Sequence, residues 1–91
     1  MGLINQDPYL FDFTNTAFTN TYIHVSWLDI NRVSGYLINY RYAMYLTYED
    51  RLAGKQPIVT FTDTMIVETY ADPFTLIYTK IKTELPNCID N

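Results

Sequence analysis

Between Thr21 and Val67 apolar and polar residues alternate along three stretches, and from Asp72 onward the apolar spacing becomes helical. Successive side chains of a strand point to opposite faces, so TYIHVSWLDI (residues 21–30) sets Ile23, Val25 and Trp27 on one face and His24 and Ser26 on the other. NRVSG supplies turn residues, and GYLINYRYAMYLTYED then reads as a second strand, giving an antiparallel hairpin. On that strand Tyr36, Ile38, Tyr40, Tyr42, Met44, Leu46 and Tyr48 share a face, opposite Leu37, Asn39, Arg41, Ala43, Tyr45 and Thr47. After the charged loop EDRLAGKQP, the stretch PIVTFTDTMIV puts Val59, Phe61, Met65 and Val67 opposite Thr60, Thr62 and Thr64, a threonine row suited to a solvent face.

The change of period predicts a helix. Asp72 suits the N-cap and Pro73 the first helical position, where its missing N–H is not needed. Phe74, Ile77, Tyr78, Ile81 and Leu85 then form one apolar stripe, Lys80 and Lys82 sit where cations suit the helix dipole, and Pro86 stops the helix. The expected fold class is α+β: a small antiparallel sheet of three or more strands with one C-terminal amphipathic helix packed on it. The expected core is Ile23, Val25, Trp27, Phe61, Phe74, Ile77, Tyr78 and Ile81.

Residues 1–20 show no sustained period and read as an extended N-terminal arm, leaving 21–91 as a single β-β-β-α domain. FTNT occurs twice, at 13–16 and 18–21, a spacing that matches neither a strand face nor a solenoid and reads as coincidence or turn chemistry. Tyr9, Phe11, Phe13 and Phe18 on such an arm must pack on the domain or on a neighbour, and are the candidate partner-binding residues. Tyr40, Tyr42 and Tyr45 are the candidates for an exposed aromatic surface. The ring and hydroxyl of tyrosine suit protein interfaces, and stacking of sugars is the alternative use.

Composition narrows the function. Charged residues make up 18% of the 91, against roughly 25% in globular domains, while hydrophobic residues reach 48%. The formal net charge of −4 has the wrong sign for a chain that neutralises phosphates, so nucleic acid is not expected as a partner. No stretch approaches the roughly 18–20 apolar residues of a membrane helix, and MGLINQDPYLFDF lacks the basic and apolar regions of a signal peptide. Cys88 is the single cysteine and cannot form an internal disulfide.

Catalytic chemistry finds no support in the residues. One His and one Cys cannot furnish a zinc shell without carboxylates from several loops. His24, Ser26 and Cys88 show no nucleophile spacing, and Glu49-Asp50 reads as a solvated turn. Neither an enzyme nor a cofactor is expected.

Tyr22-Ile23, Gly35, the Pro57-Ile58 strand start and above all the closing IYTKIKTELPNCID resemble small virion-associated proteins of tailed bacteriophages. The likeness centres on Tyr78-x-x-Ile81-Lys82-Thr83, with Ile77 and Ile81 standing where the phage pattern has Ala and Leu. It implies a structural or adaptor protein of head decoration, neck, tail or baseplate, assembled in the host cytoplasm into the virion. Its partners would be other virion proteins and further copies of itself. The alternative is a module that binds carbohydrate or a host protein, including a phage-encoded inhibitor of a host protein.

Overall fold

The computed structural model describes residues 2–11 and 16–91, so Phe13 lies outside the described residues. In chain order the elements are β1 (Leu3–Asn5), β2 (Tyr9–Phe11), β3 (Thr16–Phe18), β4 (Thr21–Val33), β5 (Gly35–Tyr45), α1 (Tyr48–Leu52), β6 (Val59–Val67), α2 (Pro73–Glu84) and β7 (Cys88–Asp90). Five strands form one antiparallel sheet in the order β6-β5-β4-β1-β7, and β2 and β3 pair as a separate ribbon. The α+β architecture expected from the two periods is therefore present, with two more strands in the main sheet than the alternation marked out.

The β4–β5 hairpin closes at Gly35, whose φ is +123°. A Cβ there would approach the Val67 carbonyl oxygen to 2.9 Å, so both the backbone conformation and the space call for glycine. Ile38, Tyr40, Tyr42 and Met44 of β5 point inward and are buried with Ile23 and Val25 of β4. Ile77, Tyr78 and Ile81 of α2 close the core over them. Phe74, expected in that stripe, is 43% exposed, and Leu76 packs against the core instead.

The main sheet takes in residues on the N-terminal side of the expected boundary at residue 20. Leu3 pairs with Ile23 on one side and Asp90 on the other, and Asn5 with Thr21 and Cys88. Leu3 and Asn5 are both buried. The three-residue strand is held by its neighbours rather than by its own pattern. Asn5 Oδ1 accepts the Asp7 backbone N–H at 3.2 Å, which turns the chain out of the sheet, and the Asn87 amide donates to both Asp7 carboxylate oxygens. The two ends of the described chain are thus fastened to one another.

Beyond this turn, Tyr9 meets Phe61 edge-on with centroids 6.2 Å apart and packs against the core. Tyr9 is therefore engaged within its own domain. Phe11 and Phe18 belong to the ribbon, where Tyr9 pairs with Phe18 and Phe11 with Thr16.

Candidate interaction surface

The outer face of the sheet is shaped by a single irregularity. Val25 pairs with Tyr42 and Trp27 with Arg41, so Ser26 is an extra residue in β4. A β-bulge of this kind shifts the period by one, and every later side chain changes face. Ile23 and Val25 point inward before it; Leu28 and Ile30 pack toward the core after it. Trp27, expected inside, is turned outward and is 48% exposed.

Three rows of side chains then cross this face in register: Trp27–Arg41–Thr62, Asp29–Asn39–Thr64 and Asn31–Leu37–Ile66. The middle row is hydrogen-bonded from end to end. Thr64 Oγ1 donates to Asn39 Oδ1 at 2.9 Å, and Asn39 Nδ2 donates to Asp29 Oδ1 at 2.9 Å. Ile66 stands 68% exposed at one corner. The threonine row of β6 faces outward as its alternation predicts.

The tyrosines singled out as an exposed surface are placed differently. Tyr40 and Tyr42 are buried, because the even-numbered positions of β5 face α2, and only Tyr45 keeps partial exposure. Tyr42 stacks on Phe61 at 4.9 Å and on Tyr40 at 6.2 Å. Burial pushes the Tyr42 phenol up to about 12, with the Glu84 carboxylate adding to the effect. Burial also raises Tyr22, Tyr40 and Tyr78.

Two polar clusters flank the core. Tyr40 Oη donates to Asp63 Oδ2 at 3.3 Å, its register partner on β6, and Lys80 Nζ of α2 donates to the same oxygen at 3.2 Å. Lys80 also reaches the Thr64 carbonyl at 3.1 Å and lies over the Tyr40 ring. The Thr64 backbone N–H, then Lys80, hold the Asp63 carboxyl below its ordinary value. At the other end, α1 begins at an N-cap where Thr47 Oγ1 accepts from Asp50 N–H, and it covers the outer face of β4. Tyr48 meets Tyr22 edge-on at 5.0 Å and Arg51 Nη2 stands 3.0 Å from His24 Nε2.

Cys88 is a buried free thiol whose pKa burial raises, the neighbouring Asp7 charge acting in the same sense, so it is not poised as a nucleophile. Among the described residues no cluster of three or more His, Cys, Asp or Glu is placed to hold a metal, and no helix is long and apolar enough to cross a membrane. Among the described residues no enclosed pocket is formed. What the geometry of the described residues offers is surface: the outer face around Trp27 and the outer edge of β6, the terminal strand of the sheet. No protein-family model, curated protein or solved structure matches the chain.

Proposed function

We propose that this chain is a small structural or adaptor component of a tailed-bacteriophage particle, acting through protein–protein contacts and association with further copies of itself. The observation that carries the reading is the edge of β6. Natural sheets blunt their edges with short strands, Pro, Lys or bulges. The β7 edge is three residues long, whereas β6 runs for nine as VTFTDTMIV, with neither Pro nor Lys and no register shift against β5. Its one charge, Asp63, is paired with Lys80, and these two take up the Thr64 N–H and carbonyl at mid-strand, so the main-chain groups left to a neighbour are those on either side of Thr64. Such an edge suits main-chain pairing with a neighbouring subunit, and exposed Ile66 adds apolar area beside it.

The likeness of the C-terminal helix to phage proteins supports the particle assignment, although Tyr78 and Ile81 within it are core residues whose direct role is packing. An aromatic arm reaching a neighbour is retained only in part, since Tyr9 is occupied by Phe61. Leu10, 55% exposed on the ribbon, is the residue best placed to make such a contact.

Mass spectrometry of gradient-purified particles tests the assignment, with stoichiometric presence expected and absence overturning it. Light scattering over a concentration series tests the mechanism. A discrete oligomer that dissociates on Ile66→Lys, with Leu10→Lys as a separate probe of the ribbon, is the expected outcome. A mass unchanged by both substitutions would remove the edge and the ribbon as contact sites.

A further inference from the structure

We propose that the outer sheet face around Trp27 binds a neutral carbohydrate, the indole acting as a stacking platform and the Asp29 carboxylate accepting hydrogen bonds from sugar hydroxyls. A sugar ring presents an apolar C–H face and a rim of hydroxyls, so its site needs an exposed aromatic plane beside fixed polar groups. Trp27 supplies the plane, 48% exposed on the sheet. Asp29, two residues further along β4, emerges on the same face at a distance of about 6.7 Å along the strand, and Arg41 is the cross-strand partner of Trp27.

The polar groups are fixed before any ligand arrives. Donation runs in one direction, from Thr64 to Asn39 to Asp29, and ends on an acceptor. Asp29 Oδ1 is taken by the Asn39 amide, which sets the plane of the carboxylate and leaves Oδ2 to receive a hydroxyl. A carboxylate held in place forms charge-assisted hydrogen bonds at little ordering cost.

Charge and size select the occupant. On this face Arg41 and Asp29 cancel, and the net charge of −4 disfavours anionic sugars and nucleic acid alike. Three strands by three rows cover about 300 Å² at ordinary sheet spacings, well short of the roughly 800 Å² per partner that a stable protein interface buries. The rows Trp27–Arg41–Thr62 and Asp29–Asn39–Thr64 have the footprint of a short glycan, while Ile66 in the third row lies with the β6 edge. Sugar binding by this face stands apart from the particle assignment, since titration of the isolated chain and mass spectrometry of particles can fail separately.

The test is a heteronuclear NMR titration of the whole chain with neutral tetrasaccharides of glucose, galactose, mannose and N-acetylglucosamine, one at a time. Trp27 is the only tryptophan, so its indole N–H is a unique reporter. At least one probe is expected to move that resonance and the Asn39 side-chain amide saturably. Trp27→Ala and Asp29→Ala should each weaken binding at least tenfold, and Asn39→Ala should weaken it without touching either contact residue, while Leu10→Ser leaves it within twofold. Spectra of each variant without sugar verify folding. Silence of the indole N–H to all four probes overturns the proposal, as does undiminished binding by Asp29→Ala. Movement of the same resonances with protein concentration alone would mean that a second copy covers the face, and overturns it too.

Discussion

The backbone N–H of Val25 donates to the hydroxyl of Tyr78 at 3.0 Å, linking the strand at its bulge to the middle of the helix that covers it. A bulge disrupts the ladder locally, and a side-chain oxygen from α2 takes up a donor there. Tyr78→Phe keeps the ring and removes the acceptor. The expected loss is about 1–3 kcal/mol, read as a lower urea midpoint with an unchanged slope.

The two aromatic faces of the β4–β5 hairpin should respond unequally to truncation. Tyr42→Ala opens a cavity in the core and should cost about 3–5 kcal/mol. Trp27→Ala removes an outward side chain and should cost under about 1 kcal/mol, and the emission maximum of wild-type Trp27 should be that of a solvated indole. A large loss at Trp27 would place it inside and contradict the bulge.

Alkaline pH should unfold the chain through its buried tyrosines. The folded-state phenols of Tyr22, Tyr40, Tyr42 and Tyr78 all lie above the ordinary value of 10.0. A raised pKa contributes stability in full below the unfolded value and loses it as pH rises toward the folded one. For Tyr42, at about 12 when folded, the lost contribution approaches about 3 kcal/mol. Denaturant midpoints should therefore fall steadily above pH 10, and Tyr42→Phe should lessen the fall.

Asp63 gives the opposite dependence at the acid end. Its folded pKa is depressed from 3.8, first by the Thr64 backbone N–H and then by Lys80. That contribution is present above the unfolded value and disappears as pH drops below it through the folded one. Asp63→Asn should flatten the stability profile below about pH 4, and, because the Asp63 charge also helps raise Tyr40 and Tyr42, it should soften the alkaline limb slightly.

Thr21 is fully buried and its Oγ1 has no hydrogen-bond partner among the described residues. Replacing it with Val keeps the shape and removes the stranded hydroxyl. Thr21→Val should raise stability by about 1 kcal/mol, seen as a higher melting temperature, because an unsatisfied buried hydroxyl carries an uncompensated desolvation cost.

Local patterns announced the three long strands, the turn at Gly35, the outward threonines of β6 and the helix opened by Pro73, because each rests on a period or a backbone preference carried by its own residues. Ile77, Tyr78 and Ile81 were legible as core for the same reason. The site was not. A strict period of two puts Trp27 with Val25, and nothing in TYIHVSWLDI marks Ser26 as the extra residue; the bulge emerges only when β4 must pair with β5. Tyr40 and Tyr42 fell on the inward set by alternation, yet their abundance of hydroxyls suggested a surface. Burial is possible because their rings stack among apolar neighbours and Tyr40 Oη finds Asp63.

The amino-acid sequence by itself determined the three long strands and the C-terminal helix, and it set the sign of the charge; it did not mark the short helix α1, which takes up Tyr48–Leu52 where the alternation ran on as strand and loop. Tertiary structure decided which way Trp27 faces, that Leu3–Asn5 becomes an inner strand, and that Tyr9 folds back onto Phe61. The physical reason is range. Strand and helix periods are written in neighbouring residues, whereas three residues such as LIN become a strand only when β4 and β7 offer hydrogen bonds on both sides, from positions 16 or more residues away in the chain.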